Sequence, residues 1–539
     1  MTSQFALTNP LIKKICLWRR KMKFKTSLIL VVLMTLSAGS IWAAEEGDLS
    51  LSLEDCILKA LENNLRVAVE VINPGLAEMS VTRAKEIFMP RFDLNYGARS
   101  TESPSYWFLE ASGTSITKYS DYSVAAVKRI STGGNLSLSF TGYKSDTNQM
   151  FQLINPRYGS TLQLDISQPL LKDFGYKVNR REIQIAQNNL DISQRQFESV
   201  LMETIYSVQE TYWNLVYAIE NYNVKEQSLR LAQDLLAKNK KEVEVGKLAE
   251  IEILNAEAVV ASREADILQA EALIRKSEDS LKNILNMLEA EEIVPKKIIP
   301  LDRPSFEKQS ISLIGAIQTA LSNRPDLTIS QRTIQTKELN LSVAKNQLLP
   351  GLDLQFSYWS PGISGDRLLY LENNPFLGVV IGTEEKNAWN SLWDAFKLKH
   401  NNWSLSLTLS VPISNFLTKA NYITAQMELE QSLLELQNRE QQVLLDVRNV
   451  VRDIESLDKR YAALKLASHH AEKRMEAEEK KLSVGLSTNY FVLQFQEELA
   501  NIRSQEIKTL VDYNLALARL ENVLGTSLEI HNIKIDQIH

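Results

Sequence analysis

Two hydrophobic periods alternate along this chain. In the first, apolar residues recur at spacings of four and three, and the same spacing returns 242 positions later. This heptad pattern is typical of helices that pack as coiled coils. The two seams are Leu201, Ile205, Val208, Tyr212, Leu215, Ile219 and Tyr222, and then Val443, Val447, Val450, Ile454, Leu457, Tyr461 and Leu464.

Each heptad stretch runs on to an isolated glycine and then turns back. A helix from about Tyr176 to Val245 would be roughly 100 Å long at a rise of 1.5 Å per residue. Gly246 supplies a turn at its end, and Gly485 repeats this design in the second stretch. The pattern therefore predicts two long helical hairpins, at about 176–290 and about 416–525.

The second period is strict alternation, which predicts β-strands. Residues 162–167 and 405–411 place apolar side chains on one face and small polar side chains on the other. A soluble sandwich would alternate in the same way, but aromatic residues flank these strands, as in the girdles of a membrane barrel. We therefore predict lipid-facing strands at about 91–169 and about 351–412. The aromatic residues are Tyr96, Tyr106, Trp107, Tyr143, Trp359 and Trp403.

The chain also contains an internal duplication. Residues 51–64 align with residues 311–324 at an offset of 260, and the Pro90 segment aligns with the Pro350 segment at the same offset. Gly246 pairs with Gly485 after small drifts in register. The expected organisation is thus two copies of one unit. The predicted segments are a first repeat at 45–292, a Pro-rich linker at 293–310 and a second repeat at 311–539.

Residues 1–44 are predicted to be a signal peptide with a basic leader. Lys23 and Lys25 precede the apolar run 27–36 and a zone of small residues. That run is too short for a membrane span, which needs about 20 residues. Translation begins either at Met1, with an extended basic region, or at Met22. Removing the segment lowers the formal charge from −6 to −13, and an acidic exported chain is a poor candidate for binding nucleic acid.

Composition and motifs argue against an enzyme. Only 19 glycines and 14 prolines occur in 539 residues, too few for a doubly wound fold with a turn every 10 to 20 residues or so. The sequence shows no nucleotide-binding loop, zinc-ligand spacing or nucleophile elbow, so we predict no catalytic residues, no cofactor and no metal site. His469 and His470 are adjacent on a charged helix and are expected to be solvated. Cys56 alone remains after the leader, which excludes an intrachain disulfide and leaves a lipid anchor unsupported.

Taken together, these features resemble the TolC-type outer-membrane efflux proteins. Each repeat has a short leading helix (53–63 and 313–323), a strand that ends in Gln168-Pro169 or Val411-Pro412, and a hairpin tip with Val-Gly. The resemblance extends over roughly residues 49 to 528. It implies a mainly α fold with a membrane β-barrel, in which a homotrimer shares one barrel and one α-helical periplasmic tunnel.

The resemblance also implies a function, a location and partners. The expected protein is a channel in the outer membrane of a Gram-negative-type cell, with its barrel in contact with lipid. It would export substrates in a tripartite efflux pump or a type I secretion system. Its partners would be a periplasmic adaptor (membrane fusion protein) and, through it, an inner-membrane transporter. The alternative is a periplasmic coiled-coil scaffold without a pore. The cargo, whether drugs, metals or proteins, is not indicated.

Two sets of residues acquire roles from the resemblance. Phe491 and Gln494 stand where some members carry acidic residues at the tunnel entrance, which implies a narrow, partly apolar constriction here. The adaptor would contact the hairpin tips. The tip residues are Val245, Gly246, Val484, Gly485, Leu486 and Ser487.

The first copy is longer than the second between its strand-flanking prolines. There are 78 residues between Pro90 and Pro169, against 61 between Pro350 and Pro412. The additional residues are expected to form a further β-hairpin around the turn at 132–134. Whether each protomer contributes four strands, the family default that gives twelve in a trimer, or six is left open at this point.

Overall fold

The computed structural model describes residues 49–105, 113–287 and 297–534. The predicted signal peptide, Tyr106 and Trp107 lie outside these ranges. Most of the described chain belongs to one compact unit, Ser50–Ile293 with Ile298–His539. The other unit, Met1–Leu49 with Val294–Lys297, lies largely outside the described residues.

The first repeat has short elements, then strands, then a long hairpin. The Ser52 hydroxyl accepts a hydrogen bond from the Asp55 amide at 3.2 Å, and the Asp55 carboxylate accepts one from the Ser52 amide, so that a capping box starts the first helix. The elements are β1 (Leu49–Leu51), α1 (Leu53–Asn63), α2 (Leu65–Glu70), α3 (Ile72–Glu86), β2 (Arg91–Pro104), β3 (Thr114–Arg129), β4 (Asn135–Thr147), β5 (Ile154–Pro169), α4 (Tyr176–Asn179), α5 (Arg181–Glu244) and α6 (Ile251–Ile284).

The second repeat follows the same plan. α7 begins at Leu313, 260 positions after α1, and β7 begins at Gly351, 260 positions after β2, so the tandem repeat is confirmed. Its elements, after the linker strand β6 (Ile298–Pro300), are α7 (Leu313–Asn323), α8 (Pro325–Asn346), β7 (Gly351–Tyr370), β8 (Val380–Glu384), α9 (Ala388–Phe396), β9 (Asn402–Ser410), α10 (Phe416–Ser483), α11 (Asn489–Leu524) and α12 (Ser527–Ile530).

The first long helix differs from its predicted extent. The sequence predicts one helix from Tyr176, whereas the structure interrupts it at Arg180 between α4 and α5. The Asn179 side chain donates hydrogen bonds to the backbone carbonyls of Asp173 and Gly175, at 2.7 and 3.1 Å. These local bonds offer the backbone an alternative to continuous helix, which explains the break.

One antiparallel sheet joins the two repeats. The order is β2-β3-β4-β5-β7, and β5 pairs with β7 across the duplication. The far side of β7 is shared, because β9 pairs with residues 351–359 and β8 with residues 367–370. With β9, the sheet is six strands wide at the level of residues 351–359, and residues 360–366 of β7 have no strand partner on that side among the described residues. The further hairpin predicted in the first copy is present as β3 and β4.

The heptad seams form the interfaces between the long helices. Leu201, Ile205 and Val208 of α5 are fully buried, and so are Val443 and Val447 of α10. This burial confirms the predicted coiled-coil packing. Among the described residues, no helix is both long and apolar enough to cross a membrane.

The linker between the repeats is held by one buried tyrosine from each. The Tyr212 hydroxyl lies 3.0 Å from an Asp302 carboxylate oxygen and accepts a hydrogen bond from the Asp302 amide at 3.0 Å. The Tyr513 hydroxyl donates to the Glu307 carbonyl at 2.7 Å. Burial raises the pKa of the Tyr212 hydroxyl well above its ordinary value, so this residue stays neutral.

Candidate functional site

Both hairpin tips are built by a glycine in the left-handed region. Gly246 has φ of 70° and Gly485 has φ of 78°. At the second tip, the Gly485 amide donates to the Leu482 carbonyl and the Leu486 amide donates to the Lys481 carbonyl, at 3.1 and 2.9 Å. This pair of bonds is a Schellman motif, and the equivalent bonds occur at the first tip. A side chain at either glycine would be strained because of φ, although the space around it is open.

The tips present apolar side chains to solvent. Val245 and Val484 occupy equivalent positions just before the glycines, and both are exposed. Leu486 is more exposed still, whereas Ser487 is partly buried because its hydroxyl donates to the Glu478 carboxylate at 2.6 Å. Val484 and Leu486 are only two residues apart, and contiguous exposed apolar surface marks sites that contact another protein.

The two residues predicted to form the constriction lie in the first two turns of α11. Phe491 and Gln494 are both exposed in the single chain. The Phe491 ring packs edge-on against Tyr490, with 5.6 Å between centroids, and lies 6.3 Å from the Phe495 ring. The structure therefore places Phe491 and Gln494 on the same hairpin as Leu486.

A buried arginine that the sequence did not single out joins the two hairpins near their tips. Arg263 of α6 donates to the Ser228 carbonyl of α5 at 2.6 Å, and to the Leu493 carbonyl and the Gln496 side chain of α11 at 3.3 Å each. Burial lowers the pKa of its guanidinium, while Glu497 and Asp266 attract the charge and oppose that shift. The only hint in the sequence was a charged residue within an apolar helix period, which is a weak signal.

Replacing this arginine should loosen the contact between the hairpins. Arg263→Ala removes three hydrogen bonds and leaves a cavity, so we expect a loss of about 2–4 kcal/mol in the free energy of unfolding. Urea unfolding in detergent, followed by circular dichroism, measures this loss. Arg230→Ala is the matched control, because Arg230 forms an exposed ion pair with Glu226 on α5 and should contribute less than about 1 kcal/mol. Equal effects of the two substitutions would contradict the role of Arg263.

The sheet has one apolar face and one polar face. Strand pairing places alternate residues of all six neighbouring strands on the same side. The apolar face is formed by Phe92, Leu94 and Tyr96 (β2), Tyr122 and Val124 (β3), Leu136, Leu138 and Phe140 (β4), Leu162, Leu164 and Ile166 (β5), Leu352, Leu354 and Phe356 (β7), and Leu405, Leu407 and Leu409 (β9). The polar face is formed by Asp93 and Asn95 (β2), Asp121 and Ser123 (β3), Ser137 and Ser139 (β4), Gln163, Asp165 and Ser167 (β5), Asp353, Gln355 and Ser357 (β7), and Ser404, Ser406 and Thr408 (β9).

The polar face carries cross-strand contacts that pattern analysis did not find. The Arg99 guanidinium lies 4.3 Å from the centroid of the Tyr119 ring, which stacks on Tyr143 at 5.5 Å. Arg157 approaches the other side of this row, 5.5 Å from the Tyr143 centroid. Cation–π contacts of this kind hold positive charge on a sheet surface. Four strands thus contribute to one polar, charged surface. Tyr143 and Trp359, which the sequence suggested for a lipid-facing aromatic girdle, lie on this polar face, so the suggestion was wrong for these two residues.

Candidate metal ligands do not cluster in the part of the chain that the structure describes. His469 and His470 are both exposed, with 5.9 Å between ring centroids and 56° between ring planes. In the part of the chain that the structure describes, no group of three or more His, Cys, Asp or Glu side chains could hold a metal ion. Cys56, within the same part, is a buried free thiol whose pKa is raised to about 12 by burial.

Comparison with protein families decides the classification. The model of the family described as "Outer membrane efflux protein" matches residues 135–287 and 316–526, which is more than half of the chain. The chain belongs to this family. The family consists of outer-membrane channels and not of enzymes, and adaptor proteins are the kind of partner with which they work.

Two solved outer-membrane channels share this fold, and one further protein is similar in sequence. The Campylobacter jejuni outer membrane channel CmeC superposes with a TM-score of 0.61 at 17% identity, over 90% of each chain. The open-state MtrE outer membrane channel of Neisseria gonorrhoeae gives 0.59 at 17% identity, over 94% of this chain and 98% of that one. Nodulation protein T of Rhizobium leguminosarum bv. trifolii is 22% identical over 240 residues, or 44% of this chain. The match spans half of that relative's length.

Proposed function

We propose that this family member is an export conduit of the outer membrane, formed by three copies of the chain. The observation that carries the proposal is the joining of a two-faced sheet to coiled-coil hairpins. The apolar face suits lipid and the polar face suits a water-filled lumen. The hairpins supply helices long enough to extend the lumen into the periplasm, since α5 alone has 64 residues.

The proposed mature chain begins after the signal peptide at 1–44. We take the repeats as 45–292 and 311–539, joined by the linker at 293–310. Substrates would enter from the periplasm or from an inner-membrane transporter, as in a tripartite efflux pump or a type I secretion system. The alternative, a periplasmic scaffold without a pore, is not favoured, because a scaffold has no need of a wide apolar sheet face.

Reconstitution of the purified mature protein tests the proposal directly. We expect trimers in mild detergent by native mass spectrometry, and ion conductance after insertion into a planar lipid bilayer. Extraction from cell membranes should require detergent. A monomer that is soluble without detergent and shows no conductance would support the scaffold instead.

The hairpin tips are the proposed docking site for a periplasmic adaptor, which would connect the channel to the transporter. The exposed valines and Leu486 would provide the apolar contact, and Gly246 and Gly485 would keep the tips tight enough to fit between adaptor helices. Ser487 would hold the second tip in shape through its hydrogen bond to Glu478.

Leu486→Asp should weaken adaptor binding by about tenfold or more, because burying a carboxylate in an apolar contact is costly. Binding of the trimer to the purified adaptor, measured by surface plasmon resonance, gives the affinity. Leu486→Met is the control, since it keeps an apolar side chain of similar volume, and its affinity should stay close to that of the wild type. The conductance of both variants should be unchanged. Wild-type affinity in Leu486→Asp would place the contact elsewhere.

The entrance of the tunnel is proposed to be narrowed by Phe491 and Gln494. Phe491→Ala removes one phenyl ring from each copy, so we expect a higher single-channel conductance in a planar bilayer. Tyr490→Ala is the matched control, because Tyr490 is the adjacent aromatic residue and points away by about 100° on the helix. Unchanged conductance in Phe491→Ala, or an equal rise in both variants, would count against the constriction.

A further inference from the structure

The sheet ends in strands whose outer edges have no partner among the described residues. These are β2 on one side, and β9 and the short β8 at two levels of β7 on the other. Their apolar side chains are open to solvent in the single chain, with Leu94 75% exposed and Leu407 62% exposed. In hydrocarbon, each unpaired backbone amide or carbonyl costs several kcal/mol. Both edges therefore need a partner once the sheet is in the outer membrane.

We propose that β2 of one copy pairs antiparallel with β9 of the next copy, so that three copies close a barrel with six strands from each. The barrel then has 18 strands, in place of the twelve that four strands per copy would give. This inference rests on the trimeric channel proposed above. The two strands run in opposite directions, as antiparallel pairing requires. The chain leaves the helices of the first repeat along β2 and returns to α10 along β9.

The duplication supplies the register of this pairing. β7 corresponds to β2 at an offset of 260, and the end of β5 corresponds to the end of β9 at an offset of 243. Within the chain, Gln168 of β5 lies opposite Leu354 of β7. The same geometry between copies places Val411 opposite Leu94.

The faces of the sheet provide an independent check of that register. Continuing along the strands, Tyr96 falls opposite Leu409 on the apolar face, and Asn95 falls opposite Ser410 on the polar face. A slip of one residue would bring polar side chains to the lipid side along the whole seam. The register given by the duplication keeps the apolar side chains of both strands on the lipid side. The duplication by itself says nothing about the faces, so the two arguments are independent.

The additional hairpin belongs to the barrel wall and not to a surface flap. β3 and β4 are paired on both sides, with β2 and with β5. They also follow the same division of faces, since Val124 and Leu138 lie on the apolar face and Ser123 and Ser139 on the polar face. Barrel diameter grows roughly in proportion to strand number, so the proposed barrel is about one and a half times as wide as a twelve-stranded one.

Disulfide trapping between copies tests the closure and its register. The double variant Asn95→Cys/Ser410→Cys, oxidised in native membranes, should run as covalent dimers and trimers on denaturing gels. The control Asn95→Cys/Ser406→Cys moves one cysteine by four residues, or about 13 Å, and should stay monomeric. Cys56 is buried and is replaced by alanine in both.

The outcomes separate this inference from the proposed function. A protein that is trimeric and conducts ions, but is trapped equally well or better by the control pair, overturns the register. A trimeric, conducting protein that neither pair traps overturns the pairing of β2 with β9. A protein that neither trimerises nor conducts overturns the channel itself.

Spin labels test the strand count. A nitroxide on Leu138→Cys of β4 should be relaxed by oxygen, which concentrates in lipid. A nitroxide on the adjacent Ser139→Cys should be relaxed by a water-soluble nickel complex. If both labels report water in a conducting trimer, the β3–β4 hairpin lies outside the wall and the 18-stranded barrel is wrong.

A second inference comes from α9, which rests on the apolar face of the sheet. The Ser391 hydroxyl of α9 lies 3.0 Å from the Ser160 hydroxyl of β5, and the Phe396 ring stacks on Phe140 of β4 at 5.3 Å. Gly362 of β7 allows the close approach, because a Cβ there would lie 1.9 Å from the Ser391 carbonyl oxygen. The helix therefore sits on the side of the wall that faces lipid.

α9 lies over the part of that face where one row of paired residues across the strands has no aromatic side chains. Tyr96, Tyr122, Gly142, Ser160 and Gly362 follow one another across five strands in a single row of pairing. The first two are aromatic and the last three are small.

Above these small residues, α9 turns Trp389 and Trp393 outward, with 67% and 57% of their surfaces exposed. We infer that α9 lies in the outer membrane–water interface and supplies aromatic side chains to the row in which β5 and β7 carry only Ser160 and Gly362. The partner of this helix is the boundary between lipid headgroups and acyl chains.

Label accessibility tests this placement in vesicles of outer-membrane lipid. A nitroxide on Trp393→Cys should be relaxed more strongly by oxygen than by the nickel complex. A label on Lys386→Cys, just before the helix, should show the reverse. If the label on Trp393→Cys is as accessible to nickel as the control label, the helix does not lie in the interface.

Discussion

Tyr212→Ala is expected to lower the free energy of unfolding by about 3–5 kcal/mol, the range for removing a fully buried aromatic side chain. Tyr212 has no exposed surface and packs edge-on against Trp213, with 5.5 Å between centroids. Its hydroxyl also holds Asp302, whose carboxylate accepts a hydrogen bond from the Leu53 amide at 2.6 Å. Loss of the ring therefore opens a cavity and releases the linker from α1. The thermal midpoint in detergent, measured by circular dichroism, reports the loss.

Two further variants identify the cause of this effect. Tyr212→Phe keeps the ring and should cost only about 1–2 kcal/mol, from the hydrogen bonds to Asp302. Tyr222→Ala removes the same side chain from the same helix and seam, but at a partly exposed position, and should cost less than Tyr212→Ala. If Tyr222→Ala is as destabilising as Tyr212→Ala, burial at the linker is not the source of the stability.

Gly362→Ala is expected to displace α9 from the sheet. The added Cβ would lie 1.9 Å from the Ser391 carbonyl oxygen and 3.0 Å from the Ala395 amide nitrogen. These are backbone atoms that no side-chain rotation can move away, so either the helix leaves or β7 bends, at a cost of about 1–3 kcal/mol. Hydrogen exchange followed by mass spectrometry should show lost protection over residues 388–396.

Gly351→Ala is the matched control on the same strand. Its Cβ would lie 3.4 Å from the Ser410 Cβ, an ordinary contact, so we expect unchanged protection of α9. The hairpin helices should be protected equally in both variants, because α9 packs on β5 and β7 and not on the long helices. Full protection of α9 in Gly362→Ala would show that the helix is held by something other than this close approach.

The sequence was sufficient to predict the elements whose apolar residues recur at a regular spacing. The heptad seams predicted the coiled-coil hairpins, and strict alternation predicted the strands, because both patterns reflect which side chains are buried within one element. Gly246 and Gly485 marked the tips for a similarly local reason, since a residue with φ near +70° is most often glycine. The longer first copy predicted the further hairpin that the structure shows as β3 and β4. The break at Arg180 was missed, because it depends on side-chain hydrogen bonds that leave no periodic signal.

Only the tertiary structure decided the contacts between segments that lie far apart in the chain. The partners of Arg263 lie on two other helices, α5 and α11, and no pattern within α6 identifies Ser228 or Gln496 as its neighbours. The pairing of β5 with β7 joins the two repeats, and it fixes which faces of their strands lie on the same side of the sheet. The docking of α9 needs Gly362 opposite Ser391, a fit that depends on atomic distances. Periodicity is a property of one element, whereas these contacts exist only once the elements have packed.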